Sequence, residues 1–138
     1  MRFMIIVKGT KDTEAGVMPE EKLLVEMASY HEELAKAGLL LDGSGLKPTS
    51  KGARIRFSGG KRTWIDGPFT ESKEVIAGYT LIQAKSREEA IQWAKRFPNP
   101  AGEGKDAEIE IRELFELEDF QPGETIERFR EIGIGGQK

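Results

Sequence analysis

At Asp66-Gly67-Pro68-Phe69 the chain turns a corner that its residues leave little choice about. Proline has no N–H to give to a strand ladder and pushes the residue before it out of the helical region. A strand arriving along Arg62-Thr63-Trp64-Ile65 must therefore stop there. The stop is flanked by an acid and a large aromatic, and the polar run Thr70-Glu71-Ser72-Lys73-Glu74 leads away from it.

Upstream, Gly59-Gly60 separates Ala53–Ser58 from Lys61–Ile65. Two glycines between two strand-like runs favour a two-residue hairpin turn, and that turn sets a register. Ser58 falls opposite Lys61, Phe57 opposite Arg62 and Ile55 opposite Trp64. Alternation then places Ile55, Phe57, Arg62, Trp64 and Asp66 on one face and Arg54, Arg56 and Thr63 on the other, so Asp66 projects from the apolar side.

The remaining elements follow from periodicity. Phe3 to Val7 is a continuous apolar run ending at Gly9, the pattern of a central strand covered on both faces. After a polar loop containing Gly16, Pro19 stands in a first helical turn with Glu20 and Glu21, and Gly38 follows the far end. The stripe of that helix is Leu23, Leu24, Met27, His31, Leu34 and Ala35. Leu39-Leu40-Leu41-Asp42 reads as a short strand and Gly43-Ser44-Gly45 as a flexible bend. Val75 to Ala84 is a strand. Ser86 caps a helix carrying Ala90, Ile91, Ala94 and Phe97, which Pro98 and Pro100 end. Ala107 to Leu114 alternates as a half-buried strand.

The order is strand, helix, several strands, helix, strand. It indicates an α+β fold: a ferredoxin-like antiparallel sheet with two helices on one face. The other face, with Trp64 and Phe57 on it, calls for cover, and a second copy supplies it, so a homodimer is expected. The domain runs from residue 1 to 120; residues 121–138 form an extension, with Thr125 capping a short helix of Ile126, Phe129 and Ile132, and the last four or five residues disordered.

Composition closes off several functions. A chain of 138 residues, 38% hydrophobic, makes one domain with one core. Its 21 basic and 24 acidic residues are interspersed, with a net charge of -3, which gives no field for nucleic acid. With no cysteine and one histidine there is no disulfide, no thiolate chemistry and too few ligands for zinc or haem, so neither a metal nor a cofactor is expected. No segment reads as a signal peptide or membrane span, and the cytoplasm is the expected location.

Taken together, the opening Met-rich strand, the helix end Glu32-Glu33-Leu34-Ala35-Lys36-Ala37-Gly38, the stretch Leu41-Asp42-Gly43-Ser44-Gly45-Leu46-Lys47-Pro48, the Asp66 to Phe69 corner with Glu71, Lys73 and Glu74, Gly78-Tyr79 and Glu110-Ile111-Arg112 resemble the DGPF proteins of the YCII-related group. The resemblance covers roughly residues 1 to 120. It implies two subunits pairing into a dimeric α/β barrel. Members of the group are often encoded beside sigma factors of the extracytoplasmic-function type. More distant relatives include muconolactone isomerases and dehalogenases that use His and acidic residues in a cleft.

Three residues are catalytic candidates. His31 on the helix stripe could act as a general base oriented by Asp42 or Asp66; against that stands a histidine satisfied by a backbone carbonyl. Asp66 could be a catalytic carboxylate or could bond to the N–H groups of its own turn. Arg62, Trp64 and Phe69 are the ligand-binding candidates. Arg62 and Trp64 form a cation–π pair on the basic hairpin, where an anionic small organic acid could bind, and Phe69 is an anchor for the corner. Two functions stay open: a small-molecule-binding dimer with His/Asp acid–base chemistry of the lyase or isomerase kind, and a non-catalytic module that works by protein contact, linked to sigma-factor regulation.

Overall fold

β1 (Arg2–Lys8) is one of the two inner strands of the main sheet: it pairs antiparallel with β5 (Ile76–Gln83) on one side and β6 (Ile109–Glu113) on the other. β2 (Leu40–Gly45) pairs with the outer edge of β5, giving the strand order β2-β5-β1-β6 with every pair antiparallel. With α2 (Glu21–Lys36) before β2 and α3 (Arg87–Lys95) before β6, this is the ferredoxin-like arrangement. The computed structural model describes residues 1–70 and 74–136; Glu71 and Lys73 of the corner motif lie outside them, as do Gln137 and Lys138 of the end expected to be disordered.

One face of the sheet and both helices enclose the core. Phe3 and Ile5 of β1, Ile82 of β5, Tyr30 and Leu34 of α2, and Ala90 and Ala94 of α3 form a single buried cluster, with Ile109 and Ile111 packed against it. Tyr30 is an addition to the expected stripe, whereas Leu24 and Ala35 are exposed. Gly38, with φ of 78°, ends α2 in a Schellman turn: its N–H bonds to Ala35 O, and that of Leu39 to Leu34 O. Ser86 caps α3 as expected, accepting from the Glu89 N–H.

Other expectations are corrected. Pro19 precedes the helix, whose N-cap is Glu20. The loop before it contains a one-turn helix, α1 (Lys11–Glu14), closed by a Thr10–Thr13 capping box. Gly43-Ser44-Gly45 is no bend but the second half of β2, held by its ladder to β5. Gly78 of β5 answers it, since a Cβ there would stand 3.0 Å from Ser44 O. Thr125 lies inside α4 (Glu124–Glu131), whose N-cap is Gly123. After α4, Ile134 N–H bonds to Phe129 O, and a Cβ on Gly135 would stand 2.4 Å from Leu117 Cγ.

β3 (Ala53–Ser58) and β4 (Lys61–Asp66) pair in the register that the Gly59-Gly60 turn dictates. They form a sheet of their own, so Trp64 and Phe57 do not lie on the open face of the main sheet. That face carries Met4, Tyr79 and Leu81, each partly exposed, and Ile6, which is buried within the chain, because these residues alternate with the core-facing ones.

The corner itself is tied to α1 and to the 3-10 turn Thr49–Lys51. Gly67 N–H bonds to Gly52 O, Phe69 N–H to Thr49 Oγ1, and Thr49 gives both its N–H and its hydroxyl to the Glu14 carboxylate. Gly67 is required: an added Cβ would stand 1.8 Å from Thr49 O.

Candidate functional site

His31 is half-buried on α2, and both ring nitrogens are occupied. Nδ1 lies 2.7 Å from Met27 O and Nε2 lies 2.8 Å from Thr80 Oγ1. A carbonyl only accepts, so Nδ1 carries hydrogen; in the neutral ring Nε2 is then the acceptor, and the Thr80 hydroxyl donates to it. The ring also meets β2, for a Cβ on Gly43 would come within 3.7 Å of Nε2.

Asp42 is elsewhere. Its Oδ2 accepts from the Tyr79 hydroxyl at 2.9 Å. Tyr79 and Thr80 are neighbours in β5, and successive strand residues project to opposite faces. His31 and Asp42 are thus separated by the sheet: one works from the helix side, the other on the open face. Asp66 stands at the base of the hairpin, where Oδ1 accepts from the Trp64 indole N–H at 2.8 Å. The amides of Gly67 and Phe69 go to Gly52 and Thr49, not to Asp66. The three candidate catalytic residues are not gathered into one site.

Among the ligand-binding candidates, Arg62 lies over Phe57, its opposite number in the ladder, at 4.7 Å from the ring centroid, in place of the expected pairing with Trp64. Phe69 receives the Arg54 guanidinium at 3.8 Å. Two surface hollows, of about 350 Å³ at the hairpin tip and about 450 Å³ between α3 and β6, include neither His31, Asp42 nor Asp66 in their walls. Among the described residues, no group of three or more His, Asp or Glu is placed to hold a metal ion, and no helix is long and apolar enough to cross a membrane.

The open face has an order that periodicity alone did not reveal. One row across the sheet reads Arg112, Met4, Leu81, Asp42; the next reads Glu110, Ile6, Tyr79, Ser44. An apolar middle is therefore bounded by an Asp–Tyr pair at the β2 edge and by charges at the β6 edge. There Glu110 is shared by Lys8 at 3.1 Å and Arg112 at 3.7 Å, so two cations meet one carboxylate. Tyr79 received no role from the sequence; its signal was a polar aromatic alternating with core residues in a strand.

This βαββαβ chain with its inserted hairpin matches the YCII-related domain over residues 1–117, and it belongs to that family. An uncharacterised protein of Rhizobium meliloti (strain 1021) is 32% identical over 80 residues, which cover 58% of this chain and 64% of that protein. The structure of 5-chloro-2-hydroxyhydroquinone dehydrochlorinase (TftG) from Burkholderia phenoliruptrix AC1100, in complex with 2,5-dihydroxybenzoquinone, is similar with a TM-score of 0.43 and 14% identity, over 84% of this chain and 95% of that one.

Proposed function

We propose that the protein is a homodimeric small-molecule-binding domain whose ligand, a small organic acid, lies on the open sheet face. The observation that carries this reading is the Tyr79–Asp42 hydrogen bond, set beside an apolar floor of Met4 and Leu81, both partly exposed. A second copy laid over this face would cover the floor and turn it into a cleft. The excess of cations around Glu110 favours a carboxylate, whose partner is Arg112. Two strand spacings, roughly 10 Å, separate Arg112 from the Tyr79 column, a span that a small organic acid and an arginine arm fill between them.

His31 supports the site from behind, holding Thr80 next to Tyr79 and lying against Gly43 next to Asp42. Proton transfer of the lyase or isomerase kind in this cleft would run through Tyr79 and Asp42, the only two of these groups on the ligand's side.

A thermal-shift series with small aromatic and aliphatic carboxylic acids tests the reading. A ligand present at 100 times its Kd stabilises the fold by about 2.7 kcal/mol, and that gain should vanish in Arg112→Ala and shrink in Tyr79→Phe and Asp42→Asn. No stabilisation by any acid, or stabilisation indifferent to all three substitutions, overturns it. A second reading, an accessory module acting by protein contact and linked to sigma-factor regulation, is favoured by the full engagement of His31. It predicts indifference to every acid in the series.

A further inference from the structure

Two arginines share the open face as diagonal neighbours. Arg112 stands opposite Met4 in the ladder and Arg2 comes two residues before Met4, so both side chains project to the same side, within reach of each other. Their situations differ. The Arg112 side chain is 72% exposed and meets Glu110 only at 3.7 Å, whereas that of Arg2 is 14% exposed and gives Nε and a terminal nitrogen to the Glu116 carboxylate at 3.0 to 3.2 Å.

Glu116 opens the C-terminal segment, and the far end of that segment returns to the same guanidinium: a Cβ on Gly136 would stand 3.0 Å from Arg2 Cζ. Between these two points little holds it down. Leu117 is the one buried side chain from 116 to 136; α4 buries none, and its Phe129 is 42% exposed. A segment with so few buried apolar contacts opens readily, and Arg2 is the clasp at both of its ends. Residues 116–136 also hold six acids and two arginines, so this strap and an anion arriving on the face compete for one cation. Building on the open-face ligand site, we propose that Arg2 is a second carboxylate-binding residue of that site, held in reserve by Glu116. The ligand is a dicarboxylic acid: one carboxylate takes Arg112, the other replaces Glu116 on Arg2, and the strap comes away.

Glutarate and succinate, set against valerate and butyrate in calorimetric titrations, test this. The dicarboxylates should bind the parent chain about tenfold more tightly, and Arg2→Gln should abolish that preference while monocarboxylates still bind at Arg112. Glu116→Gln should tighten the dicarboxylates further, because no clasp has then to be opened. In the parent chain, saturating glutarate should speed hydrogen exchange at the Phe120 and Ile134 amides, which bond to Leu117 O and Phe129 O, since the eight-residue α4 is marginal once its segment is unclasped. That measurement needs no variant and decides the matter even where one fails to fold. Exchange unchanged at both amides, no preference for the dicarboxylates, or an affinity indifferent to Glu116→Gln overturns the proposal. Monocarboxylate binding that depends on Arg112 would then leave the open-face site standing; if no acid binds the parent chain, both fall.

Discussion

His31 Nε2 lies 2.8 Å from the hydroxyl of Thr80, a residue that is 2% exposed. The bond ties α2 to β5 and satisfies a polar group that has left water, so its first consequence is stability. His31→Ala strands the hydroxyl and opens a cavity, and should cost about 2–3 kcal/mol. At roughly 3 °C per kcal/mol for a domain of this size, the Tm falls by about 6–9 °C. Thr80→Val should cost less, and the double variant should show about 1 kcal/mol of coupling. If His31→Ala leaves the Tm unchanged, the histidine is not held as described and the base reading regains its standing.

Tyr30 supplies a pH dependence with a definite sign. Its hydroxyl donates to Trp93 O at 2.6 Å; burial pushes its pKa up to about 12, against a smaller opposing pull from Arg96. Between the ordinary value of 10.0 and about 12 the unfolded chain gives up this proton while the folded one keeps it. The contribution is complete below pH 10 and is lost as pH rises towards 12. Tyr30→Phe should cost about 1 kcal/mol at neutral pH and flatten the alkaline decline of stability, measured as urea midpoints across that window. Parallel curves for the two chains would contradict the assignment.

The hairpin was legible because local chemistry decides it: two glycines set the turn, the turn sets the register, and the register puts Asp66 beside Trp64. Gly43-Ser44-Gly45 was not, because nothing in three small residues favours a strand; the ladder offered by β5 overrides their propensity. His31 was placed on the right stripe, but its separation from Asp42 depends on a register shift between Leu40 and Asp42 that turns the acid to the open face. The tie between Glu14 and Thr49 joins residues 35 positions apart and leaves no periodic trace.

That tie should be measurable. The Glu14 carboxylate accepts from both the N–H and the hydroxyl of Thr49, and the Thr49 oxygen in turn accepts from Phe69 N–H at 3.0 Å. Hydrogen bonds to a charged acceptor are the stronger kind, so Glu14→Ala should cost about 2 kcal/mol and speed hydrogen exchange at the Phe69 amide. Unaltered exchange at that amide would show that the corner is held by other means.

Gly67→Ala should be the most damaging single change at the corner. The new methyl would stand 1.8 Å from Thr49 O and 2.6 Å from its carbonyl carbon, and these are backbone atoms that cannot rotate aside. The 3-10 turn would have to move, taking with it the Gly67–Gly52 and Phe69–Thr49 hydrogen bonds. A loss of at least about 3 kcal/mol is expected, near 9 °C in Tm. Gly45→Ala is the matched control, since its methyl meets nothing within 4 Å and should change stability by less than about 1 kcal/mol. Equal effects of the two substitutions would mean that the glycine of the corner answers to something other than the crowding by Thr49.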